Sequence, residues 1–267
     1  MSSEFILQER EGGVLLLTFN RPERKNAFNA QMWRELSDAL SAAKDDDQVR
    51  VLVVTGAGTA FSAGADLTEM AAPPPGVTSA AEHPFAHCVD VLRGFDKPAV
   101  AAVNGVGIGG GLTLLLFFDY VYISSSARLR APFVTLGVAP EAASSYMLPA
   151  LLGYRPALHL LYESEFIDAE RALELGIATQ LCEPDELMEK SMERAKWLAR
   201  KPLGSLRWCK RLLLATRDDQ VRAAQARENE AFAQRVGSPE NVEAIKAFFE
   251  KRDADFSNIS PADKDGD

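Results

Sequence analysis

The stretch that most constrains this chain is Lys97 to Pro140, KPAVAAVNGVGIGGGLTLLLFFDYVYISSSARLRAPFVTLGVAP. Pro98 to Val103 is a short apolar run with the valines of a strand. Asn104 to Gly111 then places five glycines in eight residues, so a simple helix or strand is excluded there. Leu112 to Phe118 is unbroken and apolar, Asp119 ends it, and Tyr120 to Ser124 is rich in β-formers again. The order predicts strand, glycine turn, buried helix, strand. Glycine lets a backbone approach a ligand closely. A helix start presents amides with no partner of their own, and so suits a negative oxygen.

The flanking sequence extends this to an α/β body. Phe5 to Gln8 and Val14 to Phe19 bracket Glu11-Gly12-Gly13 as a hairpin. Asn29 is placed to cap a helix whose apolar stripe is Met32, Trp33, Leu36, Ala39, Leu40 and Ala43. Val49 to Val54 is continuously apolar, as in a strand covered on both faces. Gly56 to Leu67 reads as a loop, and Pro73-Pro74-Pro75-Gly76 as an exposed segment. Phe85, Cys88, Val89 and Leu92 share one helix face, and Asp168 caps a helix that Gly176 stops. From Glu186 the chain reads as four helices, Glu186 to Arg200, Pro202 to Ala215, Asp218 to Val236 and Pro239 to Lys251, with a frayed end from Asp253. A core of residues 1–199 and a helical region of 200–267 are the expected divisions.

Composition narrows the partners. With 38 acidic and 29 basic side chains the net charge is −9, which argues against nucleic acid and anionic membrane. The longest apolar run is too short to span a bilayer, and no basic-then-apolar start announces a secretory signal. Cys88, Cys182 and Cys209 are odd in number and far apart, so no disulfide or metal framework follows and a cytoplasmic home is the expectation.

Two familiar motifs can be tried on the glycines and fit poorly. Gly105 to Gly110 satisfies G-x-G-x-x-G, yet the acidic residue due at the end of the second strand is missing: Asp119 precedes that strand and serines follow it. Ala60-Phe61-Ser62-Ala63-Gly64 has the outline of a nucleophile elbow, but a loop separates Val54 from Ser62. The histidines at 83, 87 and 159 offer it no base, and HPFAH lacks the glutamate of a zinc helix.

Both glycine loops together carry a resemblance. FSAGADL at 61–67 and KPAVAAVNGVGIGGG at 97–111, with NRPERKNAF, ERALELGIAT and AFFEKRDADF elsewhere, resemble the crotonase (enoyl-CoA hydratase/isomerase) superfamily over nearly the whole chain. The resemblance implies a spiral of repeated ββα units followed by a helical trimerisation region, assembled as a homotrimer or dimer of trimers. It implies an acyl-CoA thioester as ligand, with no cofactor beyond the coenzyme A that the substrate carries. By motif position the Ala65 and Gly110 amides form an oxyanion hole, and Arg24, Lys25, Ala63, Asp66 and Leu67 curl around the nucleotide end. Phe248 and Lys251 match the positions that cover the adenine and approach the 3′-phosphate. Phe232, Val242, Ile245 and Phe249 lie near spacings that can supply an assembly face or equally pack within their own chain. The loop from Ala71 to Glu82 is expected to shape the acyl pocket.

The same resemblance separates the reactions. The two glutamates that activate water in the hydratases are replaced here by Thr113 and Phe133, neither of which can act as a base. Glu141, in VAPEAASSYMLPALLG, matches the catalytic glutamate of the peroxisomal-type Δ3,Δ2-enoyl-CoA isomerases. One carboxylate suffices to take a proton from C2 and return it at C4. Exclusion of water disfavours addition, and burial raises the base towards a useful pKa. Taken alone, a glutamate amid alanines is ordinarily a solvated side chain. The alternatives are a ring-opening isomerase of an epoxidised aromatic acyl-CoA, a hydratase, and a non-catalytic acyl-CoA-binding protein.

Overall fold

The computed structural model describes residues 5–71 and 83–259. The Pro73–Gly76 segment and nearly all of the loop expected to shape the acyl pocket lie outside the described residues. The hairpin forms as expected: β1 (Ile6–Glu11) pairs antiparallel with β2 (Val14–Phe19) across Gly12. Next come α1 (Ala30–Asp45), β3 (Val51–Gly56), β4 (Ala60–Ser62), α2 (Leu67–Ala71) and α3 (Pro84–Arg93). The central stretch supplies β5 (Ala99–Val103), β6 (Val106–Ile108), α4 (Gly110–Thr113), β7 (Tyr120–Ser124) and β8 (Arg128–Arg130). The rest is α5 (Ser144–Leu152), α6 (Tyr154–Glu163), β9 (Ile167–Asp168), α7 (Ala169–Glu174), β10 (Gln180–Cys182) and α8 (Leu187–Ala199), then α9 (Leu203–Ala215), α10 (Asp218–Arg235) and α11 (Pro239–Glu250).

Two sheets result. One runs β1-β2-β3-β5-β7-β10 and is parallel beyond the hairpin; the other runs β4-β6-β8-β9. Each ββ step (β3–β4, β5–β6, β7–β8) puts one strand in each sheet, which winds the chain into a spiral. The period of two explains the apolar runs. Val51, Val53, Val100, Ala102 and Tyr122 face Leu187, Ala195 and Leu198 of α8. Leu52, Val54, Ala101, Val103 and Ile123 face the main core with α1 and α3. Asn29 caps α1 through a bond from the Met32 amide, and Asp168 caps α7 through one from Arg171.

Two readings are corrected. The glycine-rich segments 56–67 and 104–111 are not loops throughout, because β4 and β6 pair within them. Leu112 to Phe118 is not a full helix: α4 makes one turn and Leu114–Phe117 tightens to 3-10, as the short crossover from β6 to β7 requires. In the expected assembly face, Ile245 is buried and Phe232 packs against the core of its own chain, whereas Val242 and Phe249 are exposed. Helix α9 is pinned under the sheet by charge. Lys210 donates to Lys97 O and to Asp119, and Arg207 reaches Asp96 at 2.9 Å. Among the described residues no helix is long and apolar enough to cross a membrane.

Candidate active site

Two backbone turns meet at the centre of the spiral. One, Ser62–Leu67, leaves β4; the other, Ile108–Gly111, joins β6 to α4. Gly64 has φ +82°, and a Cβ there would lie 2.4 Å from Ile108 O and 3.4 Å from Gly110 N. No side chain fits between the two turns, so the glycine is required on both counts. The surrounding amides are committed: Ala63 donates to Lys25 O, Gly64 to Ser62 Oγ, Asp66 to Phe28 O and Gly109 to Arg130 O. The Ala65 and Gly110 amides donate to no acceptor among the described residues. Two unpaired donors on rigid, touching turns are suited to an oxygen that gains charge during a reaction.

Glu141 lies against these donors. Its Oε1 is 3.5 Å from where a Cβ on Gly110 would sit, and the Trp33 ring edge is 3.4 Å from the same point. Trp33 is itself fixed, stacked on Phe28 with centroids 3.9 Å apart and edge-on to Phe85 at 4.9 Å. The Glu141 residue keeps a partial opening to solvent while its carboxyl is withdrawn into the protein. Burial, with the Glu228 charge adding to it, pushes its pKa up to about 8. That is a stronger base than a solvated glutamate, placed beside the Gly110 turn.

The turn carrying Glu141 is strained. Ala142 and Ala143 have φ of +58° and +56°, a left-handed conformation that costs a non-glycine residue roughly 1 to 3 kcal/mol. Helix α5 starts there with no cap from its own side chains. Glu228, on α10 and only 4% exposed, supplies what is missing. Its Oε2 accepts from the Ala143 amide at 2.5 Å and its Oε1 from the Ser145 amide at 2.7 Å. Burial holds the Glu228 pKa above the ordinary carboxylate range, and the bonds from Ser145 and Ala143 offset part of that rise. Sequence reading did not single out Glu228. The signal available was its place on one stripe of α10 with Val221, Ala224 and Gln225, all buried.

The other expected residues divide. Lys25 and Arg24 are exposed on the loop whose Lys25 carbonyl receives the Ala63 amide, and Phe28 bridges to Ala65, so the 24–28 and 63–67 segments do come together. Asp66 accepts from Arg21 Nη1 and Thr68 Oγ1, both at 2.7 Å. Burial opposes its charge, yet these bonds hold its carboxyl below the ordinary range. Leu67 begins α2, against which α11 packs; Asn241 of α11 reaches Met70 and donates to Leu136 O. Thr113 is fully buried beside the glycine turn with no partner for its hydroxyl, and Phe133 is in the core. Phe248 is exposed on α11 and Lys251 is its left-handed C-cap; no hydrogen bond or ion pair among the described residues joins either to the central turns. Ser62 is wholly buried and its Oγ donates to Asn26 O, which removes it as a nucleophile, while His83 caps α3. Of the G-x-G-x-x-G glycines, Gly105 lies in the bend before β6, Gly107 within β6 and Gly110 at the start of α4.

Comparison with known proteins adds the following. Residues 9–259 match the family model described as enoyl-CoA hydratase/isomerase. The chain is 35% identical over 253 residues to an enoyl-CoA delta isomerase 2 of Rattus norvegicus, covering 94% of this chain and 64% of that protein. The chain thus spans under two thirds of that relative. It is 33% identical to a 1,2-epoxyphenylacetyl-CoA isomerase and 34% identical to a 2,3-dehydroadipyl-CoA hydratase, both of Escherichia coli K12, covering 95% of this chain and 98% of each. A crystal structure of an enoyl-CoA hydratase/isomerase from Pseudoalteromonas atlantica superposes with a TM-score of 0.90 at 38% identity, covering 95% of this chain and all of that one.

Proposed function

The chain belongs to the enoyl-CoA hydratase/isomerase family, and within it we propose that it moves the double bond of a 3-enoyl-CoA to the 2-position with Glu141 as the single base. One observation carries this reading: the carboxyl beside the Gly110 turn is Glu141, with its raised pKa, whereas the positions of the hydratase glutamates hold the buried, non-ionisable Thr113 and Phe133. The thioester oxygen accepts from the Ala65 and Gly110 amides. Glu141 removes a proton from C2, and the pair of C–H electrons passes into an enolate whose charge rests on that oxygen. The same proton returns to C4 as the double bond moves, so atoms and charge balance with no water consumed. Arg24, Lys25, Ala63, Asp66 and Leu67 surround the coenzyme A end, with Phe248 and Lys251 approaching its adenine and 3′-phosphate in an assembly.

Paired substrates test it. The isomerase reading expects 3-hexenoyl-CoA to be converted faster than crotonyl-CoA is hydrated; the reverse order overturns it. The assembly proposed is a homotrimer or a dimer of trimers, for which the exposed Trp208, Leu212 and Leu213 of α9 are available as apolar surface. Light scattering should give a mass near three or six times 29.1 kDa, and a stable active monomer contradicts it.

A further inference from the structure

We propose that Glu228 is a positioning residue for Glu141, anchoring from α10 the turn that carries the base and standing as a fixed carboxylate behind it. This inference rests on the reading of Glu141 as the base. The geometry is that of a cap supplied from 83 and 85 residues away: both carboxylate oxygens accept, one from Ser145 N and the other from Ala143 N. Ala142 and Ala143 adopt the left-handed conformation with neither glycine nor a local side-chain cap to favour it. With the bonds in place, the turn has one conformation, and Glu141 is held at Gly110 and Trp33.

The electrostatic consequence follows from what else is near. Helix α4 and the 3-10 turn Leu114–Phe117 carry no ionisable side chain, α5 carries Tyr146 alone, and α1 meets Glu141 with Trp33. Glu228 is the charge that acts on Glu141, and Arg227 lowers the pKa of Glu228 in turn. A second carboxylate raises the proton affinity of the first. A base that must be ionised to act loses activity as pH falls through its pKa. The ascending limb of the pH–rate profile therefore reports Glu141, and removing the Glu228 charge moves that limb to lower pH.

The test is a carboxyl ¹³C titration of the full chain labelled at glutamate, without substrate, in which the resonance lost in Glu141→Gln identifies Glu141. In Glu228→Gln, which keeps size but offers one acceptor in place of two, the Glu141 midpoint should fall by about one unit. The ascending limb for 3-hexenoyl-CoA should shift with it, and on the plateau above that limb kcat should drop about tenfold with KM little changed. Glu228→Asp, which retains the charge, should keep the midpoint near that of the unaltered chain. If Glu228→Gln alone is unstable, the same titration is made with Ala143→Gly added, since glycine accepts the left-handed turn unaided. An unmoved midpoint in the folded variant overturns the proposal, as does a fall of equal size in Glu228→Asp. Because the midpoint is read without substrate, a shifted midpoint with no turnover of 3-hexenoyl-CoA would sink the isomerase reading and leave this one standing.

Discussion

Glu141→Gln should lower isomerisation of a 3-enoyl-CoA by about 10⁴-fold or more, because a sole base sits at the upper end of the general-base range. The amide keeps the size of the carboxylate and cannot accept a proton at neutral pH. Binding of acyl-CoA should persist, since the Ala65 and Gly110 donors and the Trp33 wall are untouched. The substitution also removes a carboxyl whose ionisation burial disfavours, so the variant should fold at least as well as the parent. Steady-state kinetics alongside calorimetric binding of a saturated acyl-CoA check this. Activity near that of the parent would remove Glu141 from the mechanism.

The second large effect belongs to Gly110. Gly110→Pro deletes one amide donor at the first residue of α4, a helix position where proline is well tolerated. A single donor of this kind is worth about 10² to 10³ in rate, and the ring carbon that replaces the hydrogen also crowds the oxygen's place. Gly110→Ala is the control. It keeps the N–H and adds a Cβ whose nearest neighbours, Trp33 and Glu141 Oε1, are 3.4 to 3.5 Å away, ordinary contact. The expected order of rates is parent, then Ala, then Pro far below, with all three folded by circular dichroism. Equal rates for Ala and Pro would show that the Gly110 amide does not touch the reacting oxygen.

The sequence is most readable where an element is long or its cap is local. Asn29, Asp168, the α1 stripe and the four C-terminal helices need nothing beyond periodicity and capping. Strands β4 and β6 are three residues each, too short for any period, and lie within glycine-rich segments that read as loops. Helix α5 was not anticipated, and its interior Pro149 argues against it locally. The site divides in the same way. The two glycine turns and Glu141 stand out in the sequence, the former by spacing and the latter by resemblance. The left-handed Ala142–Ala143 turn does not, because alanine announces no such turn; its cause is a carboxylate on a helix formed much later in the chain. Glu228 looks like a surface charge on a polar helix until the fold buries it against α5. Spacing alone does not tell Ile245, which is buried, from Val242 and Phe249, which are exposed.

In the proposed reaction one carboxylate carries one proton from C2 to C4 faster than that proton exchanges with solvent. Its most direct measurement is a single turnover of 3-hexenoyl-CoA deuterated at C2, with the product analysed by mass spectrometry and NMR. A shielded Glu141 returns part of the label to C4 before it exchanges, so product carrying deuterium at C4 is the predicted result. Complete loss of the label to solvent, with no deuterium at C4, would contradict the single-base account.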